Sequence, residues 1–335
     1  MRRARLSLLI PVFNHVKYLP ELFRSVEQQT RQPDEILFSD DGSRDESVNL
    51  VEAWIGGRRG VRLFRQEKNL GITENSNFLL RQAQGEYVLT LHSDDSFRKL
   101  GAIEEMMDTL ERSPELALVT SMRARISATS ELLGIDRKLE PGRYAREAIL
   151  RVVLKTEANP LGEPSASMFL RKALPAGFDP AYRQLWDLKG WLEILRCGEV
   201  EILEQPLLNI REHAAQATRA NEKAGRGAEE HLRLFTSLLE ESRTVLERYE
   251  ESILLYKLGR TARRFPKLAG KEIKARLQKA KKNILLWNYW KDLGRYRWKK
   301  IRACVTQKTV WGALRKKAHS FSEFRSYSRE VKKER

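Results

Sequence analysis

Strand-like and helix-like segments alternate through the first 120 residues, and this alternation limits the fold more than any other feature of the sequence. Short apolar runs, such as residues 6–12 and 87–91, are each followed by a stretch whose apolar residues recur at helical spacing. Strands that alternate with helices are typical of a layered sheet with helices packed on its faces. We therefore expect an α/β fold.

The pattern predicts the individual elements. Strands are expected at residues 6–12, 35–39, 61–64, 87–91, 116–120, 165–170 and 200–203, and helices at residues 19–29, 47–55, 75–83, 103–110 and 186–195. An irregular stretch containing Pro160, Gly162 and Pro164 is expected before the strand at residues 165–170, and only helices are expected from about residue 229.

Two pairs of acidic residues follow predicted strands. Asp40-Asp41 ends one strand, and Asp94-Asp95 ends another. Open α/β sheets bind ligands beyond the carboxyl ends of their strands, and a divalent cation with phosphate oxygens stabilises adjacent carboxylates. The alternatives are a solvated turn for the second pair, and a β-turn with a helix cap at Ser43 or Asp45 for the first.

Several segments, in this chain order, resemble family 2 glycosyltransferases. They are residues 8–14 (LLIPVFN), 40–45 (DDGSRD), 69–72 (NLGI), 75–77 (NSN), 85–88 (GEYV), 93–95 (SDD), 164–169 (PSASMF), 177–179 (GFD), 186–187 (WD) and 191–192 (WL), with Pro206-Leu207, Arg211 and His213 as a closing segment. The resemblance covers roughly residues 5–220.

The resemblance implies a GT-A fold, which is a nucleotide-binding mixed sheet flanked by helices, and an inverting transfer from a nucleotide-sugar. The residues implied to bind the nucleotide are Pro11, Val12, Phe13, Asn14, Asp41 and Asp94, those implied to bind Mg²⁺ or Mn²⁺ are Asp95 and His213, and the implied general base is Asp187. UDP-sugars are the favoured donors. No ligand role is expected for His15, His231 or His319.

Three positions depart from the family pattern. His92 stands where many relatives carry an acid, Trp186 stands where an acid often precedes the base, and Phe13 replaces a tyrosine. A phenyl ring can still stack on a nucleobase, although it lacks the hydroxyl group. The Gln-x-x-Arg-Trp signature of processive synthases is absent from the sequence, so we expect an enzyme that adds one sugar.

The net charge of +17 lies in the last third of the chain. Residues 1–225 carry 32 Lys and Arg against 33 Asp and Glu, whereas residues 226–335 carry 30 against 12. We expect a catalytic domain at residues 1–225 and a basic α-helical region at residues 226–335 that meets an anionic partner.

The basic region also contains four of the seven tryptophans, and residues 284–290 (ILLWNYW) precede a cluster of cations. This composition favours an anionic membrane surface. The alternative is a helical domain whose apolar stripe packs on itself or on the catalytic domain, and nucleic acid is disfavoured because no known module is present. No long apolar segment occurs, and two cysteines, Cys197 and Cys304, fit a reducing compartment.

The sequence therefore predicts a cytoplasmic glycosyltransferase at the inner face of the membrane, acting on a lipid-linked or surface-polysaccharide acceptor in the cell envelope. A non-catalytic scaffold that binds sugar or nucleic acid through the basic region is the alternative.

Overall fold

The computed structural model describes residues 5–213, 226–266 and 269–283. Its strands are β1 (Leu6–Val12), β2 (Glu35–Asp40), β3 (Val61–Arg65), β4 (Tyr87–Thr90), β5 (Ser96–Phe97), β6 (Leu116–Ile126), β7 (Leu132–Asp136), β8 (Gly142–Tyr144), β9 (Ser167–Leu170) and β10 (Glu199–Arg211). Its helices are α1 (Leu19–Glu27), α2 (Ser47–Ile55), α3 (Ile72–Gln82), α4 (Ala102–Arg112), α5 (Arg146–Thr156), α6 (Trp186–Ile194), α7 (Arg226–Ser237), α8 (Leu239–Val245), α9 (Arg248–Arg264) and α10 (Lys271–Asn283).

The described strands form one mixed sheet in the order β3-β2-β1-β4-β9-β6-β10-β5, with β7 on β6 and β8 on β10. Strands β3, β2, β1 and β4 are parallel, whereas β9 runs antiparallel to both of its neighbours. The parallel register places the ends of β1, β2 and β4 at one edge. This α/β architecture with flanking helices is the predicted fold class.

Alternating side chains of β1 point to the two faces of the sheet. Leu8 and Ile10 lie in a core with helices α1, α2 and α4, and Leu9 lies in the opposite core. Both faces of the strand are covered, which explains why its sequence is an almost continuous apolar run.

Between residues 121 and 156 the structure contains elements that the sequence patterns did not predict. Strand β6 continues to Ile126, and β7, β8 and α5 follow it. Arg123 interrupts the apolar pattern of β6, yet it is buried because it pairs with Asp136 and Glu163. The buried positions of α5 include Ile149, Leu150 and Val153, a helical spacing that the sequence reading did not use.

The helices α7 to α10 pack on the same core as α5 and α6. Leu232, Phe235 and Leu255 are fully buried in it, and Arg146 forms an ion pair with Glu241. The described part of the basic region thus packs on the catalytic segment, while the domain division at residue 225 stays a prediction.

Residues 284–290, the predicted membrane-surface segment, lie outside the described residues. Within the described ranges, no helix has the length and apolar character to cross a bilayer.

Candidate active site

The loops at the carboxyl edge of the sheet bring the predicted nucleotide-binding residues together. Pro11 and Val12 are buried at the end of β1, whereas Phe13 directly after it is 44% exposed. Asn14 has a positive φ of 54°, which turns the chain, and its Oδ1 accepts the Arg44 N–H at 2.8 Å. The β1 loop is therefore fastened to the loop after β2, and an aromatic face remains open beside it.

Asp41 is buried in the loop after β2 and holds the loop before α3. Its two carboxylate oxygens accept the backbone N–H groups of Leu70 at 2.6 Å and Gly71 at 2.9 Å. Burial raises the pKa of Asp41 and outweighs the lowering by these two hydrogen bonds. The predicted nucleobase contact thus belongs to a carboxylate that also fixes the neighbouring loop.

The adjacent acids Asp94 and Asp95 lie in different surroundings. Asp95 is buried, and its carboxylate accepts the Ser165 hydroxyl at 2.6 Å and the Arg211 N–H at 2.9 Å. Burial, and then the charge of Asp94, raise the pKa of Asp95 well above its usual value. Burial also acts to raise the pKa of Asp94, but the hydrogen bond from His213 and the nearby histidines outweigh it, so this pKa is lowered. Asp94 is therefore the member of the pair that ionises first.

Two overlapping groups of metal-ligand types share Asp94. One contains His15, Asp94 and His213, and the other contains His92, Asp94 and Asp95; within each group the ligand atoms lie within 4.8 Å of one another. His213 Nε2 lies 2.9 Å from Asp94 Oδ2. The His92 Nε2 atom is buried without a hydrogen-bond partner among the described residues. Carboxylate oxygens and imidazoles, one of them unpartnered, are a donor set that fits a divalent cation.

The structure corrects the expectation for His15. This residue lies in the site, with its Nδ1 at 2.8 Å from the Ser93 hydroxyl and its ring 5.6 Å from that of His213. Only its place directly after the turn that ends β1 could have indicated this position, because no sequence spacing connects it to Asp94.

Arg211 lies against the acidic pair and joins the end of β10 to three other parts of the chain. Its side chain is 1% exposed and stacks over the Tyr18 ring at 4.8 Å. The guanidinium donates to the Asp94 carbonyl at 2.8 Å, the Ser127 carbonyl at 3.0 Å, the Ser130 hydroxyl at 2.9 Å and the Glu21 carboxylate at 2.7 Å. Arg211 therefore fixes the backbone at Asp94 relative to these segments.

Asp187 lies in the first turn of α6, and its neighbours connect it to the surroundings of the acidic pair. The Trp186 ring is 6.2 Å from the His92 ring, and the charge of Glu163 acts on both Asp187 and Asp95. The Asp187 carboxylate accepts the Leu188 N–H at 2.7 Å and the Asn159 amide at 2.9 Å.

Burial, together with the smaller effect of the Glu163 charge, raises the pKa of Asp187 to about 7, although the hydrogen bonds from Leu188 and Asn159 act to lower it. A carboxyl group with this pKa can take up and release a proton near neutral pH.

Asn159 is a site residue that the sequence reading missed. Its Nδ2 donates to Asp187, and its Oδ1 accepts the N–H groups of Leu161 and Gly162. Gly162 has a φ of +88°, and a Cβ there would lie 1.4 Å from the Arg123 guanidinium. The Asn-Pro-x-Gly sequence at residues 159–162 falls in the stretch predicted to be irregular, although it indicates a fixed turn.

Several known proteins are similar to this chain in sequence or in fold. An uncharacterized protein of Mycobacterium tuberculosis is 29% identical over 221 residues, which are 63% of this chain and 67% of that protein. The glycosyltransferase GlyG of Streptococcus pneumoniae is 34% identical over 105 residues, and the match covers 31% of this chain and 33% of GlyG. The crystal structure of Staphylococcus aureus TarS 1–349 in complex with UDP-GlcNAc has the same fold, with a TM-score of 0.57 at 16% identity over 82% of this chain and 79% of TarS.

The family profile of glycosyl transferase family 2 matches residues 7–178, which hold β1 to β9 and both acidic pairs. That segment is more than half of the chain. With its GT-A sheet and the acidic residues at the carboxyl edge, the chain belongs to glycosyl transferase family 2 and is a glycosyltransferase.

Proposed function

We propose that this enzyme transfers one sugar, with inversion, from a UDP-sugar to a glycan or lipid-linked acceptor. The observation that carries the proposal is that two buried carboxyl groups have opposite pKa shifts, lowered for Asp94 and raised for Asp187. Asp94 and Asp95 lie among histidines, while Asp187 has a pKa of about 7. A group with lowered pKa and a group with raised pKa in one site can divide the roles of charge binding and proton transfer.

The donor side of the proposal rests on the loops after β1 and β2. The exposed ring of Phe13 can stack on a nucleobase, and Asp41 lies in the adjacent loop as a hydrogen-bond acceptor for the base. Pro11, Val12 and Asn14 shape this pocket, and Asp94 accepts from the ribose. TarS, which shares the fold, is described in complex with UDP-GlcNAc, and this supports a uridine nucleotide.

We assign the metal, Mg²⁺ or Mn²⁺, to Asp95 and His213, with Asp94 and His15 as the adjoining donors. When bound, such an ion neutralises charge on the departing diphosphate. The protein holds the donor atoms in place through Arg211 and Ser165, both of which bond to Asp95. Side chains fixed in this way need little rearrangement when the diphosphate binds.

Asp187 acts as the general base in this proposal. Its ionised carboxylate accepts the proton of the acceptor hydroxyl while the oxygen attacks the anomeric carbon. The bond from that carbon to the diphosphate oxygen breaks at the same time, on the opposite face of the sugar. The nucleoside diphosphate leaves with the bonding electrons, and the proton ends on Asp187. Asn159 holds the carboxylate in the orientation for this transfer.

A thermal-shift panel of UDP, dTDP, GDP and CDP, each with and without Mn²⁺, tests the donor site. A nucleotide at 100 times its Kd stabilises the protein by about 2.7 kcal/mol. We expect a metal-dependent shift with UDP that Asp94→Asn removes. The control is Asp108→Asn, an exposed acid on α4, which should keep the shift. No shift with any nucleotide would contradict the proposal.

We further propose that the enzyme works at the inner face of the membrane in building the cell envelope, with its basic region on anionic lipid. Residues 284–335 alone carry 15 Lys and Arg against 4 Asp and Glu. Each cation near an anionic surface adds about 1 kcal/mol to binding. This charge supports an acceptor that is presented at the membrane.

A further inference from the structure

The helix α7 lies outside the segment that matches the family, yet it contacts both chain segments that hold Asp187. Glu230 and His231 are consecutive residues of this helix. Glu230 faces the segment that leads into α6, and His231 faces the segment that leads from α5 to Asn159.

Glu230 binds three consecutive backbone N–H groups. Its Oε1 accepts from Arg183 at 2.8 Å, and its Oε2 accepts from Gln184 at 2.7 Å and from Leu185 at 3.0 Å. Leu185 is the N-cap residue of α6 and makes no side-chain cap hydrogen bond. Glu230 is only 5% exposed, so water does not readily replace it. A carboxylate from another helix thus fixes the backbone that leads into α6, up to the N-cap residue two positions before Asp187.

His231 fixes the other side of Asp187 through Glu157. The His231 Nε2 atom lies 2.9 Å from Glu157 Oε2, and Lys257 of α9 lies 2.8 Å from Glu157 Oε1. Glu157 ends α5 in a left-handed conformation with a φ of 56°. Asn159, which donates to Asp187, follows two residues later. The direction of the chain at Asn159 therefore depends on the contact between Glu157 and α7.

We propose that Glu230 and His231 are positioning residues for Asp187, so that the first C-terminal helix belongs to the catalytic machinery. This inference rests on the proposed role of Asp187 as the base. A displacement of about 1 Å in a reacting group can reduce a rate about 100-fold, and the two contacts of α7 restrain both segments that determine where Asp187 lies.

Hydrolysis of UDP-sugars, with water as the acceptor, tests the inference in the full-length protein. In Glu230→Gln the amide group faces backbone donors, so we expect kcat to fall about 10- to 100-fold while KM for the donor changes less than about twofold. Glu229→Gln, on the neighbouring residue with a 44% exposed side chain, is the matched control and should retain activity. In an Asp187→Asn background, Glu230→Gln should cause no further loss. An additional loss of equal size would show that Glu230 acts only on general stability and would overturn the inference.

Hydrogen exchange gives a second readout that needs no turnover. Glu230→Gln should speed amide exchange at residues 183–188, and His231→Gln should do so at residues 157–162, with little effect on the exchange of β1 or β4. Unchanged exchange in these two segments would overturn the inference. Faster exchange in a protein that binds no nucleotide and hydrolyses no UDP-sugar would leave the contact of α7 intact and refute the proposed function instead.

Discussion

Asp187 is placed where a carboxylate is costly to ionise. Burial and the charge of Glu163 raise its pKa to about 7, although Leu188 and Asn159 both donate to it. A structural carboxylate with two donors usually has a lowered pKa. The raised pKa is instead a property that a base working at neutral pH requires.

The pH dependence of turnover should follow this pKa. A base must be unprotonated to accept a proton, so we expect kcat/KM to rise with pH and to level off above about pH 7. Asp187→Asn should lower the plateau about 10²- to 10⁴-fold and remove the rising limb near pH 7. The pH profile of UDP-sugar hydrolysis measures both effects, and an unchanged profile in the variant would exclude Asp187 as the base.

The same pKa predicts an effect on stability. Between the usual Asp value near 4 and about 7, the folded protein keeps a proton on Asp187 that the unfolded chain has released. Stability from this group therefore falls as pH rises through that window and is lost above it. Asp187→Asn should raise Tm more at about pH 8 than at about pH 4. Calorimetry at the two pH values checks this, and an equal change at both would contradict the assignment.

At the residue scale, the sequence predicted the functional groups that come directly after a strand. Asp94 lies near both Asp95 and His213, while the roles assigned to these residues stay predictions. His15 and Asn159 were missed because their roles depend on where separate loops meet, and one histidine or one asparagine has no periodicity that shows this.

Helix α6 packs closely against the Phe178 ring through Gly190, a residue without a side chain. A Cβ at Gly190 would lie 2.5 Å from the Phe178 ring, which also packs edge-on against Trp186 at 4.6 Å. The close approach of Gly190 to Phe178 therefore sets how deeply the helix that carries Asp187 is seated.

Gly190→Ala should thus destabilise the protein, although alanine is the better helix former. Overpacking of a filled core costs about 1–3 kcal/mol, which exceeds the gain of up to about 1 kcal/mol in helix propensity. Lys189→Ala, the neighbouring residue, loses only its pair with Glu193 and should change stability by less than about 0.5 kcal/mol. Urea unfolding measures both variants, and an increase in stability for Gly190→Ala would contradict the packing argument.

At the element scale, short apolar runs predicted the buried strands β1, β2 and β4, and helical periodicity predicted the helices that bury one face, such as α1 and α4. These patterns failed for the second half of β10, where Pro206 lies at a shift of register against β6. Pairing with β6 extends β10 through Pro206, which has no N–H group to donate to the strand hydrogen bonds. Local sequence preferences do not indicate that pairing.

For the whole molecule, the balance of charge along the chain predicted a boundary near residue 225 but not the packing across it. The buried residues of α7 to α10 share one core with α5 and α6. Counts of charged residues show where the surface charge of the chain changes. They do not show the core, which depends on apolar contacts that span both segments.

Two shortened chains test this packing. A chain that ends at residue 225 loses the buried side chains Leu232, Phe235 and Leu255, and each lost large apolar side chain costs about 2–5 kcal/mol. We expect it to lose cooperative thermal unfolding. A chain that ends at residue 283 should unfold cooperatively but no longer bind anionic vesicles, which sedimentation with phosphatidylserine liposomes measures. Normal folding of the shorter chain would refute the shared core, and retained vesicle binding by the longer one would refute the proposed anchor.

The contacts of α7 also limit how such enzymes can be recombined. Glu230 meets residues 183–185 and His231 meets Glu157, so three stretches that are distant in sequence form one fitted unit. A chimaera that exchanges everything after residue 225 with a relative would separate the helix from the two loops it holds. Exchange of the C-terminal region should preserve turnover only when both loops are transferred with it, so that the helix and the geometry of the base are inherited together.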